Sequence, residues 1–415
     1  MLRYSLYPFS EIKISDLQLA LISYILSIQL KEGFIIRVED LNRNNSLEDR
    51  EQEHLDVLKK FSIKEELVVH QSENLKIYQE LAFRLLKDKK AFACFCKTSE
   101  CTNNCASLPQ KELQELKSSN QEFVIKLKKP IKNIKIDDIV QKEILFSPDE
   151  IGEVTILKSD GFTTEVFASA IDDMSMAISK VISTSDKVLN SAREVYIRNE
   201  LGFNDTIKYA HIPNIIFNNP EQNSLKYLLK EGILADTIIN YLLSINHNKK
   251  REIFYLPDAI NWYNISEISS KSIEFNIDDL KELNKEHLKR MDSKKLSSIV
   301  GFADEDIGDL LKIFLENSFT INDLERDFKT IFEPKDCNKC KENIAQNLAT
   351  IISKAPMIEN FSDFLDYLSS KSSLDIEQVT KAVSLLLTNS IDSNLELEKV
   401  YNLIKPYLLE VARCR

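Results

Sequence analysis

Glycine is scarce in this chain: seven residues in 415, at positions 33, 152, 161, 202, 232, 301 and 308. No two of them are spaced to build a G-x-G-x-x-G turn or a Walker loop, so both of these phosphate-cradling devices are excluded. No apolar run approaches the roughly 20 residues that a membrane span requires. Met1-Leu2-Arg3-Tyr4 does not open a signal peptide, so a cytoplasmic protein with no membrane partner is expected. A basic excess is also missing. The 54 Lys and Arg face 65 Asp and Glu, a formal net charge of -11, which excludes a general basic coat for nucleic acid and leaves room only for local contacts. Internal repeats and low-complexity tracts are absent as well.

What is present is enough for two or three domains, since 415 residues with 43% hydrophobic content exceed a single ordinary core. Leu17 to Leu30 reads as a helix buried on most sides, and "GFIIRVED" from Gly33 to Asp40 as a short buried strand. An amphipathic helix near Leu47 to Phe61, a strand in "ELVVHQSE" and a helix from Leu75 to Lys87 follow. This alternation predicts an α/β layer with parallel strands. Residues 91–160 interrupt it with a cysteine cluster and the strand-like "EFVIKLKKP" and "EVTILKSD", which predicts an insertion. The rhythm resumes in "VFASAIDDMSMAISKVIS" and "AREVYIRNELGF", and from about Asp236 to Arg415 nearly everything reads as helix.

"CFCKTSECTNNC" places Cys94, Cys96, Cys101 and Cys105 within 12 residues. Four thiolates close a tetrahedral shell of the kind Zn²⁺ accepts, and with sulfur at every position no site is left for a catalytic water, so a structural zinc is expected. A disulfide pair is the competing reading, disfavoured in a cytosolic chain. Cys337 and Cys340 form a lone C-x-x-C and read as solvent-exposed cysteines, and Cys414 as a tail residue without a task.

The ordered segments "IIRVEDLNR", "HQSENLKIYQELAFRLLKDKKAFACFC", "LKSDGFTTEVFASAIDD", "YAHIPNIIF" and "SLKYLLKEGILADTIINYLL" resemble those of bacterial glutamyl-tRNA synthetases, class I aminoacyl-tRNA synthetases, over essentially the whole chain. The resemblance implies an α/β Rossmann-like catalytic domain (1–90 and 161–235) carrying an inserted, zinc-bearing acceptor-stem-binding subdomain (91–160). A stem-contact region (236–290) and an all-α anticodon-binding-type domain (291–415) would follow. It also implies that Cys94 and Cys96 match the family's early C-x-C zinc ligands, with Cys101 and Cys105 as the later pair.

The same resemblance exposes departures at the chemical motifs. Against the family's R-F-A-P-S-P-T-G-x-L-H-I-G-H, this chain reads "RYSLYPFSEIKISD". Arg3 and Pro8 match, Lys13 and Asp16 replace the two histidines that contact ATP phosphates, Ser15 replaces the glycine, and Tyr7 replaces a small serine. Asp16 is expected to cap the first helix and close its anion-binding mouth. The K-M-S-K-R loop reads as deleted between "NIIF" and "SLKYLL", with Lys226 the nearest cation. In the amino-acid pocket Glu165 stands for a tyrosine and Ser183 for the arginine that would pair a side-chain carboxylate. Arg3 and Glu39 keep their family positions and would hold an α-carboxylate and an amino group. Asp172 and Asp173 match too, with helix capping as their alternative role.

These departures speak against ATP as a cofactor and leave no residue assigned as catalytic. The preferred expectation is a monomeric, catalytically impaired paralogue that binds tRNA or a translation-related protein. The alternatives are a working glutamate-tRNA ligase with unusual motifs, or a ligase for a different small carboxylate. Lys126, Lys128, Lys129, Lys132 and Lys135 form a local basic cluster expected to face an acceptor stem.

Overall fold

A computed structural model describes residues 1–41, 48–96, 101–119, 121–203, 206–248, 252–340, 343–391, 393 and 395–415. The chain forms two units, one of Met1–Tyr227 with Ile238–Phe275 and one of Leu228–Thr237 with Asn276–Arg415. In the first unit the elements run β1 (Leu2–Leu6), α1 (Ile14–Leu30), β2 (Phe34–Val38), α2 (Glu48–Lys60), β3 (Leu67–His70), α3 (Leu75–Lys87) and β4 (Ala91–Cys94). Then come α4 (Gln110–Ser118), β5 (Val124–Leu127), β6 (Ile134–Asp138), β7 (Lys142–Phe146), α5 (Pro148–Ile151), β8 (Val154–Leu157), α6 (Glu165–Ser175), β9 (Lys180–Thr184), α7 (Val188–Glu200), β10 (Lys208–Ile212) and β11 (Ile215–Ile216). The expected start of the second helix at Leu47 lies outside the described residues.

Seven strands make one sheet in the order β3-β2-β1-β9-β10-β6-β7, parallel throughout except for the β6–β7 hairpin. The chain builds outward from β1 through β2 to β3, then returns on the other side of β1 with β9. The gap between β1 and β9 is therefore a topological switch point, where open α/β sheets hold their ligands at the carboxyl ends of the strands. Every residue of β2 is buried, as a strand covered on both faces requires. Helix α1 is likewise buried on most sides, and Gln18 Nε2 donates to the Leu242 carbonyl at 2.8 Å.

The 91–160 stretch is not one insertion but two pieces. Strands β4, β5 and β8 form a separate antiparallel sheet, whereas the β6–β7 hairpin pairs with β10 at the edge of the main sheet. The alternating buried and exposed residues of β6 suit an edge strand with one covered face. The Asp138 carboxylate locks the hairpin there by accepting the amides of Val140, Gln141 and His211 at 2.9, 2.7 and 3.0 Å. Sequence spacing conveys none of this, because Asp138 of β6 pairs with Tyr209 of β10, far downstream.

Residues 236–290 also divide, with Ile238–Phe275 in the first unit and Asn276 onward in the second. The second unit is helical around its own apolar core, as its composition predicted. Buried Asn284 fixes the 228–237 segment to it: its oxygen accepts from the Leu234 amide (2.9 Å) and the Thr237 hydroxyl (3.0 Å), and its amide donates to the carbonyls of Gly232 and Phe319. Gly308 is required where two helices touch, since a Cβ there would fall 1.9 Å from the Ser293 carbonyl oxygen.

The C-terminal cysteines differ from expectation. Cys337 is buried and disulfide-bonded to Cys414, while Cys340 is half-buried and free. A backbone ladder brings the tail to Cys337: the Lys335 amide donates to the Arg413 carbonyl and the Arg415 amide to that of Lys335. The Lys335 ammonium, held down at about 8 by burial and the nearby Arg413, donates to the carbonyls of Thr330, Ile331 and Glu333 at the end of the preceding helix.

Candidate ligand pocket and cysteine centre

A cavity of about 350 Å³ opens at the carboxyl ends of β1, β2 and β9. Arg3 and Ser5 of β1, Arg37 and Glu39 at the end of β2, Ser183 of β9, Glu165 of α6 and Asp16 of α1 all line it. Five of the six pocket residues expected from the sequence are thus brought together: Arg3, Asp16, Glu39, Glu165 and Ser183. Lys13 is not among its lining residues. The sequence reading missed His54, Lys187, Ser191 and Glu194, which also line it. No short motif marks them, because they come from the interiors of α2 and α7 or the turn before α7.

Beneath the cavity lies a buried ion network. Arg3 grips Asp173 with Nε (2.5 Å) and one terminal nitrogen (2.7 Å), and its other terminal nitrogen donates to Ser5. Arg37 donates to Asp173 at 2.7 Å and to Glu39, Ser5 and Ser169 at 3.0 Å each. Asp172 accepts from the Tyr78 hydroxyl at 2.7 Å and from Gln71 at 3.0 Å. Asp172 and Asp173 therefore do not cap a following helix; they sit within α6 and neutralise the two arginines from behind. Arg37 is driven further up by Asp173 and Glu39, although burial opposes this.

The mouth of α1 is organised differently from expectation. Lys13, not Asp16, is the N-cap, and Asp16 at the third helical position reaches back to accept the Lys13 amide at 3.0 Å. Lysine has no acceptor to complete the reciprocal half of a capping box. Burial pushes the Asp16 carboxyl up, opposed by the Lys13 amide and by the Lys13 and Lys187 charges. Lys13 also forms an antiparallel backbone bridge with Ser224, in the short connection from β11 to the helix Leu225–Lys230. The segment at the family's first ATP motif and the connection from which the second is deleted are thereby drawn together.

Glu194 on α7 is 8% exposed, and its Oε2 has no hydrogen-bond partner. Burial raises its carboxyl to about 7; Asp173 adds repulsion, while Arg3, Arg198 and Arg37 oppose. A carboxyl raised in the folded state contributes stability that is fully present below its unfolded value near 4.5 and is lost as pH rises through 7. Glu194→Gln has nothing to ionise. It should match the parent at pH 4 and exceed it by up to about 3 kcal/mol at pH 8. Denaturant melts at both pH values check this, and equal stability at pH 8 would contradict it.

Ser191, Glu194's neighbour on α7, donates to or accepts from His211 Nε2 at 2.9 Å, and His211 Nδ1 lies 2.6 Å from Asp138. The order resembles a nucleophilic triad. Here the imidazole has no exposure and stacks on Tyr209. The row acts as a strut that ties α7 to β10 and β6.

At the end of β4, Cys94, Cys96, Cys101 and Cys105 place their sulfurs within 4.8 Å of one another. Tetrahedral coordination at about 2.3 Å per bond separates sulfurs by about 3.8 Å, and Cys96 and Cys105 already stand 3.7 Å apart. The Cys105 amide donates to Cys101 Sγ at 3.2 Å, a contact that steadies a thiolate. Burial raises Cys94 to about 12; for Cys96 burial is outweighed by the Asn103 amide and the Thr102 hydroxyl, which leave it at about 6. These residues fit a four-thiolate metal shell.

Residues 2–282 match the family profile described as tRNA synthetases class I (E and Q), catalytic domain. Glutamate--tRNA ligase 2 of Sulfurovum sp. is 38% identical over 99% of this chain and all of its own length, and that of Sulfurimonas denitrificans is 37% identical over both whole chains. The chain belongs to the glutamate–tRNA ligase family. A crystal structure of the Elizabethkingia meningosepticum glutamate tRNA ligase in complex with its amino acid superposes with a TM-score of 0.81. It covers 99% of this chain and 97% of that one at 18% identity, a likeness of fold.

The lysines expected to face RNA separate in this ligase-family chain. Lys126 is 2% exposed within β5 and is withdrawn from the set. Lys135 is exposed and pairs with Glu143 at 2.5 Å. Lys128, Lys129 and Lys132 join Lys89 and Lys90 around a groove of about 610 Å³. That groove adjoins the amino end of β6, the opposite edge of the sheet from the pocket. Among the described residues, no helix is long and apolar enough to cross a membrane.

Proposed function

We propose that this member of the glutamate–tRNA ligase family binds tRNA and has lost adenylate formation. The observation that carries the reading is the Lys13–Ser224 bridge, with Asp16 beside it at the helix mouth. A family-type triphosphate would need that space and those first-turn amides. A carboxylate about 4 Å from a phosphate charge costs about 4 kcal/mol at an effective dielectric of ~20. The lysine clamp has no counterpart in residues 217–224, and losing one such donor costs about 10²–10³ in rate. The cysteine centre is assigned to structural Zn²⁺, and Lys128, Lys129 and Lys132 to backbone phosphates away from the terminal base pairs.

ATP–pyrophosphate exchange with glutamate, with and without tRNA, should stay at background while tRNA still binds. Robust exchange would favour the second reading, a working ligase, which the names of the relatives support. For the RNA contact, charge reversal at Lys128 and Lys129 together should weaken tRNA binding. The slope of log affinity against log salt should become shallower by roughly 1.4–1.8, from about 0.7–0.9 for each of the two phosphate contacts. Unchanged affinity and slope would remove these lysines from the interface.

A further inference from the structure

Three cations line the pocket, and two of them are already paired. Arg3 lies 2.5 Å from Asp173, and Arg37 lies 2.7 Å from Asp173 and 3.0 Å from Glu39. The third, Lys187, forms no ion pair among the described residues, so it alone can take a carboxylate without giving up a partner. The helix that follows aims it at the cavity. Lys187 is the N-cap of α7, its side chain makes no capping hydrogen bond, and Lys187, Asn190, Ser191 and Glu194 have the i, i+3, i+4, i+7 spacing of one helix face, the face that lines the pocket. Glu194 is buried and Lys187 exposed, so this row runs from floor to mouth.

Four residues before Lys187, near the end of β9, Ser183 stands where the family's arginine would pair a side-chain carboxylate, and a hydroxyl cannot neutralise that charge. Only the single turn Ser185–Lys187 separates β9 from α7, and a lysine ammonium on its four-carbon stem is a mobile point charge that can serve the same cavity. Its field already crosses the pocket. Burial pushes the Asp16 and Glu39 carboxyls up, and Lys187 is among the charges that oppose burial at both, behind the Lys13 amide at Asp16 and Arg37 at Glu39. The acidic lining does not exclude an amino acid, which brings its own ammonium for Glu39 and Glu165.

We propose that Lys187 is the specificity-determining cation of this pocket: it pairs the side-chain carboxylate of glutamate in place of the arginine replaced by Ser183, and so keeps the pocket selective for glutamate over glutamine. A volume of about 350 Å³ suits a ligand of amino-acid size. The assignment goes beyond the proposed loss of adenylate formation and does not rest on it, because recognition of the side chain needs no triphosphate.

The test is calorimetric titration of the full chain at neutral pH with L-glutamate and L-glutamine, alone and in the presence of tRNA, against matched sodium chloride. Glutamate should bind at least about tenfold more tightly than glutamine, the discrimination one charge-assisted hydrogen bond provides. Lys187→Met keeps an apolar stem and removes the charge. It should weaken glutamate binding at least about tenfold and leave glutamine within about twofold, so that the preference disappears. Lys187→Arg should restore the preference. Both variants should melt within about 2 °C of the parent, because an exposed lysine without an ion pair contributes little to stability, which separates lost recognition from lost fold. No glutamate binding, equal binding of glutamate and glutamine by the parent, or an undiminished preference in Lys187→Met would overturn the assignment. Pyrophosphate exchange keeps the two readings apart: glutamate selection through Lys187 without exchange supports both, and the same selection with robust exchange defeats the loss of adenylate formation alone. Silence in both assays defeats the Lys187 assignment alone.

Discussion

Asp173→Asn should lower the stability of the first unit by about 3–5 kcal/mol, the cost of leaving buried charges without their partner. Asp173 has no side-chain exposure and receives Arg3 through two nitrogens and Arg37 through one, at 2.5–2.7 Å. Asparagine keeps the shape but removes the charge, so two guanidinium groups would share a single neutral acceptor. Glu39 and Asp172 lie 3.0 and 4.0 Å from Arg37, and Glu39 is only a weaker, non-contact partner of Arg3. For a unit of this size the melting temperature should fall by about 6–20 °C, with hydrogen exchange rising first in β1 and α6. A fall of under about 2 °C would mean that the network relaxes around the loss.

The same pair predicts the acid limb. Burial would raise Asp173, but Arg3 and Arg37 override it and hold the carboxyl at about 2. A depressed carboxyl contributes stability that is present above its unfolded value near 3.8 and lost as pH falls through 2. Acid unfolding of the parent between about pH 4 and 2 should therefore be steeper than that of Asp173→Asn.

Removing metal from the cysteine centre should have the second large effect, confined to its own sheet. The buried core around that centre is Phe92, Cys94 and Cys105, with Cys96, Cys101, Leu108 and Val124 packed partly against it. A cluster so small cannot hold its loop by apolar burial alone. Structural zinc supplies about 10–16 kcal/mol of apparent binding energy at neutral pH in small zinc domains. A strong chelator should expose four reactive thiols and Cys105→Ser the remaining three, and either should lower amide protection around Cys94–Cys96 and Cys101–Cys105. The main sheet should keep its protection. Equal thiol labelling with and without chelator would show that no metal braces this region.

Much of the architecture was legible in order of appearance. The buried helix α1, the strand "FIIRV" and the helix Leu75–Lys87 follow from apolar runs and caps, which are local properties. The four sulfurs were legible because their spacing within 12 residues leaves little room for them to be far apart. The hairpin of β6 and β7 was misplaced because strand pairing is decided by a partner distant in sequence. Lys126 was misread for a similar reason: alternation inside a short strand does not say which face is covered. The Cys337–Cys414 bridge spans 77 residues, and nothing local to either cysteine announces the other.

Readable in the linear string are the family, the α/β-then-helical order, the cysteine centre and the departures at Lys13, Asp16, Glu165 and Ser183. Those are matters of residue type at a position, and position survives in a linear string. That Asp172 and Asp173 sit behind the pocket, that Lys13 pairs with Ser224 and that Glu194 is buried with one oxygen unpartnered emerge only in three dimensions. Each of these depends on which atoms from distant elements meet at the switch point between β1 and β9. Burial then gives each such meeting its weight, because a charge or acceptor removed from water must find its partner in the fold or in a ligand.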